Sequence, residues 1–411
     1  MGDPRSARSS RRRHRVALNH LAVLGGQPAF DESLHVGRPN VGDRDRLLRR
    51  IEAVLDRAWF TNHGPMVQEF EAVLADRLGV RNVVAVANGT LGLEIATRAV
   101  GATGEVIVPS FTFAATPHAV RWQGMVPQFA DIGSGAHVLD PASVEGLITS
   151  KTSTIIGVHT WGEPCAIREL EAIAAQHGLA LLFDAAHAMG CTHEQSPIGG
   201  NGAAEVFSFH ATKYVNAFEG GAVATNDDAL ADSIRHMSNF GFEGHDVVGS
   251  VGTNAKMNEV SAAMGLTSLE SEPHFAAYNR EMWEAYAEGL ADIPGLSLRR
   301  YSATEQNSHQ YVVVEVDRCE TGLSRDAVLA ALQAEGCLAR RYFFPGCHRM
   351  EPYASERSMG AAALPNTEAL TGRVMILPTG TAMSAERVGK VCALIARIIE
   401  QAEILAGEKR T

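Results

Sequence analysis

Lys213 follows a short apolar run, Val206 to Phe209, and stands beside the polar Ser208 and Thr212. A lysine leaving the end of a buried strand loses water that its ammonium form needs. The neutral amine that results is a nucleophile toward carbonyl carbon. Asp184 ends a second apolar run, Leu181-Leu182-Phe183. A carboxylate in that position stays ionised only when paired with a donor or a cation. Taken singly, each has a plainer reading: Lys213 as a surface lysine, Asp184 as the cap of the next turn. Taken together, they offer an amine that condenses with an aldehyde and an acid that holds a ring nitrogen protonated.

That combination is the one pyridoxal 5'-phosphate requires, with a phosphate cradle and a ring-stacking platform besides. Asn88-Gly89-Thr90 falls between a strand and a helix. Free N–H groups at a helix start attract phosphate and glycine admits a close approach, although a cap is expected at any helix start. Ser208 offers a hydroxyl to the same phosphate. Phe113 can stack on the ring or be an ordinary core residue. His187, one helical turn beyond Asp184, can face the ring or its phenolic oxygen, or act as a structural hydrogen-bonder. Neither G-x-G-x-x-G nor G-x-x-x-x-G-K-[ST] occurs, and Gly199-Gly200-Asn201-Gly202 reads as a turn.

The elements that must position these residues alternate. Strands are expected at Asn82–Ala87, Glu105–Pro109, Val126–Asp131, Thr154–His159, Ala180–Asp184, Glu205–Phe209 and Gly221–Thr225. Helices are expected between them, for example to Val100, from Phe113 to Gln123 and from Ile167 to His177. Continuous apolar strands alternating with helices predict an α/β fold, a mostly parallel sheet with helices on both faces. Such sheets bind ligands at the carboxyl ends of their strands, and Asn88, Ser110, His159, Asp184 and Ser208 all fall there. Earlier helices are expected at Asp43–Ala58 and Pro65–Leu78. A long helical stretch from Met257 past Trp283 should break at Pro273. Beyond it, strands at Gln310–Val316, Leu338–Phe343 and Val374–Leu377 and helices at Ser324–Glu335 and Ser384–Ala406 predict a smaller α/β unit. The expected organisation is an irregular or disordered arm over 1–34, a large domain over 35–250, connecting helices over 251–290 and a small C-terminal domain over 291–411.

Composition narrows the class. With 411 residues and 45% hydrophobic content, the chain can bury a large core and a small one. No run of about 18 apolar residues occurs, so no membrane span is expected. The basic run Arg5 to Arg15 is followed by no apolar segment and reads as a tail, not a secretory leader; a cytoplasmic location is expected. The formal net charge of −11 argues against nucleic acid as a partner. Six scattered cysteines form no C-x-x-C, and no metal site is expected.

Six segments occur in order: Asn88-Gly89-Thr90, Pro109 to Phe113, His159-Thr160-Trp161-Gly162-Glu163-Pro164, Phe183 to His187, Ser208 to Lys213, and Gly252 to Met257. Over roughly 35–405 the chain thereby resembles the nucleotide-sugar aminotransferases of the DegT/DnrJ/StrS type, fold-type I pyridoxal phosphate enzymes. The resemblance implies Lys213 as Schiff-base lysine and proton shuttle, Asp184 as pyridinium partner and His187 against the ring. It implies Phe113 in the stacking position, and Gly89, Thr90 and Ser208 on the phosphate. Asn254 matches a residue that reaches the phosphate from a neighbouring subunit, so a homodimer with shared active sites is implied. Trp161 and Glu163 depart from the usual H-x-Y-G-Q-P and are expected to touch substrate. Arg340, Arg341 and Tyr342, in a segment resembling Y-x-P-x-H, are expected to meet a nucleotide diphosphate. The implied reaction is amination at C4 of dTDP-4-keto-6-deoxy-D-glucose from L-glutamate in antibiotic-sugar biosynthesis. C3 amination of a dTDP-3-keto-6-deoxyhexose is the alternative within the class. Outside it stand a cysteine desulfurase using Cys347 and a nucleic-acid binder using the basic tail.

Overall fold

The computed structural model describes residues 20–355 and 363–407. The basic run Arg5 to Arg15, expected as a disordered tail, lies outside them. Seven strands form the main sheet: β1 (Asn82–Val86), β2 (Glu105–Pro109), β3 (Val126–Ala130), β4 (Thr152–Val158), β5 (Ala180–Asp184), β6 (Ala204–Ser208) and β7 (Gly221–Thr225). Their order is β1-β7-β6-β5-β4-β2-β3. Only β7 runs against the others.

These segments are strands because both of their faces are buried. In β6, Val206 packs with Leu93 and Ala96 of the helix Gly89–Ala99, while Phe207 packs on the opposite face with Phe70 and Leu266. Register then levels the strand ends. Asp184 of β5 pairs with Val158 on one side and Val206 on the other. Gly221 of β7 pairs with both Val86 and Ser208, which sets the ends of β1 and β6 side by side. A Cβ on Gly221 would sit 2.6 Å from the Asn88 carbonyl carbon, so glycine is what permits that approach.

A second, antiparallel sheet follows: β8 (Leu296–Leu298), β9 (Val312–Val316) and β10 (Val374–Leu377). The helices Arg325–Ala334 and Ala385–Glu400 cover it. The helix Glu259–Leu290 joins the two units: Ala262, Leu266 and Phe275 are buried with the main sheet, and Met282, Tyr286 and Leu290 with the C-terminal one. Residues 20–35 also pack on the C-terminal unit. Leu34–His35 pairs in parallel with Cys337–Leu338, and the buried Glu335 carboxylate accepts from the Ala22 and Ala29 N–H groups at 2.6 and 2.8 Å. Among the described residues no helix is long and apolar enough to cross a membrane.

Two expectations fail. The long helix does not break at Pro273. Proline removes the hydrogen bond to the carbonyl four residues earlier, and Arg77 Nη2 donates to that Leu269 carbonyl instead, at 2.9 Å. The strand expected over Leu338–Phe343 reduces to Cys337–Leu338, followed by a bridge between Arg340 and Ile376. The chain then turns, closing Arg341 O to Phe344 N at 2.8 Å and Phe343 O to Gly346 N at 2.7 Å.

Candidate active site

A cavity of about 530 Å³ opens at the carboxyl ends of β1, β5 and β6. Lys213 lies half-buried in it, just beyond β6. Burial lowers its amine to about 8, against a smaller upward pull from Asp184, so a useful neutral fraction exists near neutral pH. Its Nζ donates to the Tyr311 hydroxyl at 3.3 Å. Asp184, at the end of β5, is 5% exposed. Its Oδ2 accepts from Thr116 Oγ1 at 2.8 Å and its Oδ1 from the Ala186 N–H at 3.1 Å. Burial nevertheless pushes this carboxyl up. A buried acid held in that state is completed by a cationic N–H donor, which is what a protonated pyridine supplies.

His187 is buried at the cavity wall, and its Nδ1 accepts from the Trp161 N–H at 3.2 Å. Burial, with the nearby Lys213 charge, holds its imidazole well below the ordinary value, so it is neutral. At the other end, Asn88 caps the helix Gly89–Ala99 by accepting the Leu91 N–H at 2.9 Å. The N–H groups of Gly89 and Thr90 have no partner within that helix. A Cβ on Gly89 would meet the Ser208 Cβ at 3.0 Å, so the floor between them is kept open by glycine. That cradle, the Ser208 hydroxyl and the helix start fit a phosphate. Phe113 stands at the mouth with 58% of its surface exposed, available for stacking. The donors, acid and amine fit pyridoxal 5'-phosphate.

The structure separates other residues from this group. Arg340 and Tyr342 line the cavity, with the Arg340 guanidinium 5.2 Å from the Tyr342 ring centre. Arg341 lies in an adjoining depression, 3.4 Å from Asp326. Trp161 does not line the cavity: it is fully buried behind His187. Glu163 does not either, because both of its oxygens are engaged by Arg299, at 2.6 Å from Nη2 and 3.1 Å from Nε. Of the five polar strand ends, Ser110 and His159 are buried elsewhere. Ser110 hydrogen-bonds His348, and His159 stacks on Phe183 beside Glu205. Asn254 is exposed, bridged to Asn239, and outside this chain's cavity. The Cys347 thiol is buried, donates to the Thr112 carbonyl at 3.2 Å and is pushed up to about 12 by burial. It is not a mobile, reactive thiol.

Sequence reasoning missed Tyr311 and Thr116. Tyr311 immediately precedes β9 and reaches across from the C-terminal unit; Thr116 lies in the short helix Ala115–Arg121. The only sequence signal for Tyr311 is an aromatic residue at the start of an apolar strand, which is weak.

A helix-start anion cradle, an aromatic lid and a lysine–aspartate pair at the strand ends of this sheet mark the chain as a pyridoxal-phosphate transferase of fold-type I. Residues 42–396 match the DegT/DnrJ/EryC1/StrS aminotransferase family. The dTDP-4-amino-4,6-dideoxy-D-glucose transaminase of Shigella dysenteriae is 32% identical over 90% of this chain and 100% of its own length. The erythromycin biosynthesis sensory transduction protein EryC1 of Saccharopolyspora erythraea is 35% identical over 86% of this chain and 94% of its own. The structure of DesI, solved in the presence of its TDP-sugar product, superposes with a TM-score of 0.92 at 50% identity. The match covers 96% of this chain and 100% of DesI. The chain belongs to the DegT/DnrJ/EryC1/StrS aminotransferase family. It is a pyridoxal-phosphate-dependent aminotransferase.

Proposed function

We propose that this enzyme aminates a nucleotide-linked keto sugar, dTDP-4-keto-6-deoxy-D-glucose at C4, with L-glutamate as donor, in deoxyaminosugar biosynthesis for antibiotics. The observation that carries the reading is the Lys213 amine, lowered to about 8, in one cavity with the buried Asp184 carboxyl. Support for the sugar comes from the transaminase relatives and from DesI with its TDP-sugar product.

When bound, the cofactor supplies an aldehyde for the amino group and a ring that takes up electrons. Lys213 would hold the cofactor through its amine and would carry a proton to and from the substrate carbon. Asp184 keeps the ring nitrogen protonated, and Thr116 holds the carboxylate in place. His187 would meet the ring or its O3′, Phe113 would stack on it, and Gly89, Thr90 and Ser208 would hold the phosphate. Arg340 and Tyr342 sit at the mouth, where a diphosphate and base would enter. Arg341, one residue on, belongs to the same basic edge. In this reading the enzyme is a cytoplasmic homodimer, and Asn254 reaches the phosphate in the second subunit.

Incubation with L-glutamate and a panel of dTDP-keto sugars, with products identified by mass and NMR, tests this. The 4-amino-4,6-dideoxy sugar and 2-oxoglutarate are expected. A 3-amino product would move the reaction to C3, and no amino sugar from any member of the panel would overturn the reading.

A further inference from the structure

We infer that Trp161 is a positioning residue for His187, its indole anchored through His137 to the C-terminal sheet so that its backbone N–H fixes which His187 nitrogen carries the proton. This rests on the reading of His187 as a residue that meets the cofactor.

Trp161 is fully buried yet has φ 63° and ψ 13°. A bulky residue in the left-handed region persists only where its surroundings over-determine it. The turn directs the Trp161 N–H to His187 Nδ1 at 3.2 Å. A ring nitrogen that accepts an N–H carries no proton itself, so neutral His187 carries its proton on Nε2.

The restraint on the turn is a directional chain. Trp161 Nε1–H donates to His137 Nδ1 at 3.0 Å. His137 therefore carries its proton on Nε2, 3.0 Å from Glu315 Oε1. Glu315 lies on β9, and its Oε2 is 2.6 Å from Nε of Arg373, the last residue of the helix Pro365–Arg373, which leads directly into β10. The strand that continues from Tyr311 thus also sets the indole. Ring packing adds to this: Trp161 lies nearly parallel to His187 (5.7 Å, 14°) and to Phe343 (5.1 Å, 8°). Tyr311 meets Trp161 edge-on at 5.1 Å.

Among the described residues, the titratable and charged groups around His187 are Lys213, Asp184 and Tyr311, Arg340 and Tyr342 across the same cavity, and Cys191, whose thiol faces the His187 carbonyl at 3.9 Å. None of them donates to Nδ1. Releasing the Trp161 turn leaves Nδ1 without its donor and free to take a proton, which the neutral catalytic state excludes.

The test uses the holoenzyme. Trp161→Phe keeps a ring and the backbone and removes the indole N–H. The pH at which the bound cofactor's visible spectrum changes is expected to move downward by roughly one pH unit, because a charge gained by His187 disfavours a proton on the neighbouring group. With His187→Gln already present, the same substitution is expected to move nothing. In turnover, kcat falls about tenfold while KM for the keto sugar stays within about twofold. Glu315→Gln, which spares the packing around the indole, is expected to move the spectrum in the same direction, again only when His187 is present, and it serves if Trp161→Phe does not fold. Equal effects with and without His187, or no spectral movement in either variant, would overturn the inference. The spectral arm needs no sugar, so it stands even if the sugar assignment fails.

Discussion

The floor of the cavity and its rim are built by different means. The floor sits on strand ends whose level is dictated by ladders and by cores on both faces: Asp184 by Val158 and Val206, Ser208 by Gly221. The rim, Arg340 to Phe344, has one ladder bridge, to Ile376, and then turns; Phe343 is buried against Phe111 and Trp161, while Arg340, Arg341 and Phe344 stay exposed. Rigid placement is where bond-making needs it, and looser placement is where substrates are chosen. If that contrast holds, floor substitutions should abolish chemistry and rim substitutions should shift recognition.

Lys213→Ala should have the largest effect, a loss of about 10⁴-fold in transamination, with the cofactor's protein-bound absorbance lost as well. Turnover by this variant would break the comparison at its centre. Asp184→Asn should cost about 10³-fold in kcat while the protein still folds, because the amide oxygen can accept the Ala186 N–H and the amide NH2 can donate to the Thr116 hydroxyl, which can turn toward Thr112. The amine itself titrates. Below pH 8 the neutral fraction of Lys213 should fall about tenfold per pH unit, and above it level off. Stopped-flow loading of apoenzyme with pyridoxal phosphate should follow that curve; a flat profile from pH 6 to 9 would contradict it. Linkage has the matching sign. A lysine with a lowered folded value adds stability above its unfolded value and loses it as pH falls from about 10.5 toward about 8.

At the rim, Arg340→Ala should raise KM for the dTDP-sugar about tenfold and leave the half-reaction with glutamate nearly unchanged. An equal loss in both halves would place Arg340 with the floor. Glu163→Gln should be the mildest. It breaks a partly exposed pair with Arg299, so kcat should stay within about twofold and Tm should drop by about 2 °C. A large loss of activity would return Glu163 to the site.

The same contrast decides what could be read from residues alone. The main strands and the Lys213–Asp184 pair were legible because apolar runs and polar strand ends are local signals. The strand over 180–184 and the helix over 167–177 appear with the bounds their patterns imply. Position beside a strand end was not enough for Trp161 and Glu163. A left-handed turn at Trp161 sends the indole under His187, and Glu163 finds Arg299 in a distant segment. Tyr311 was hidden because its contribution depends on how the second sheet docks, which no local pattern encodes. Pro273 misled for a related reason, since the donor that satisfies the Leu269 carbonyl comes from Arg77, far away in sequence.

The helix Glu259–Leu290 has a further consequence. With one end sunk among the residues around Phe70 and the other among those around Val314, it works as a shared beam. Heat should therefore melt the sheet bearing Lys213 and the one led by Tyr311 in a single calorimetric event. The hand that holds the amine would not outlast the hand that covers it.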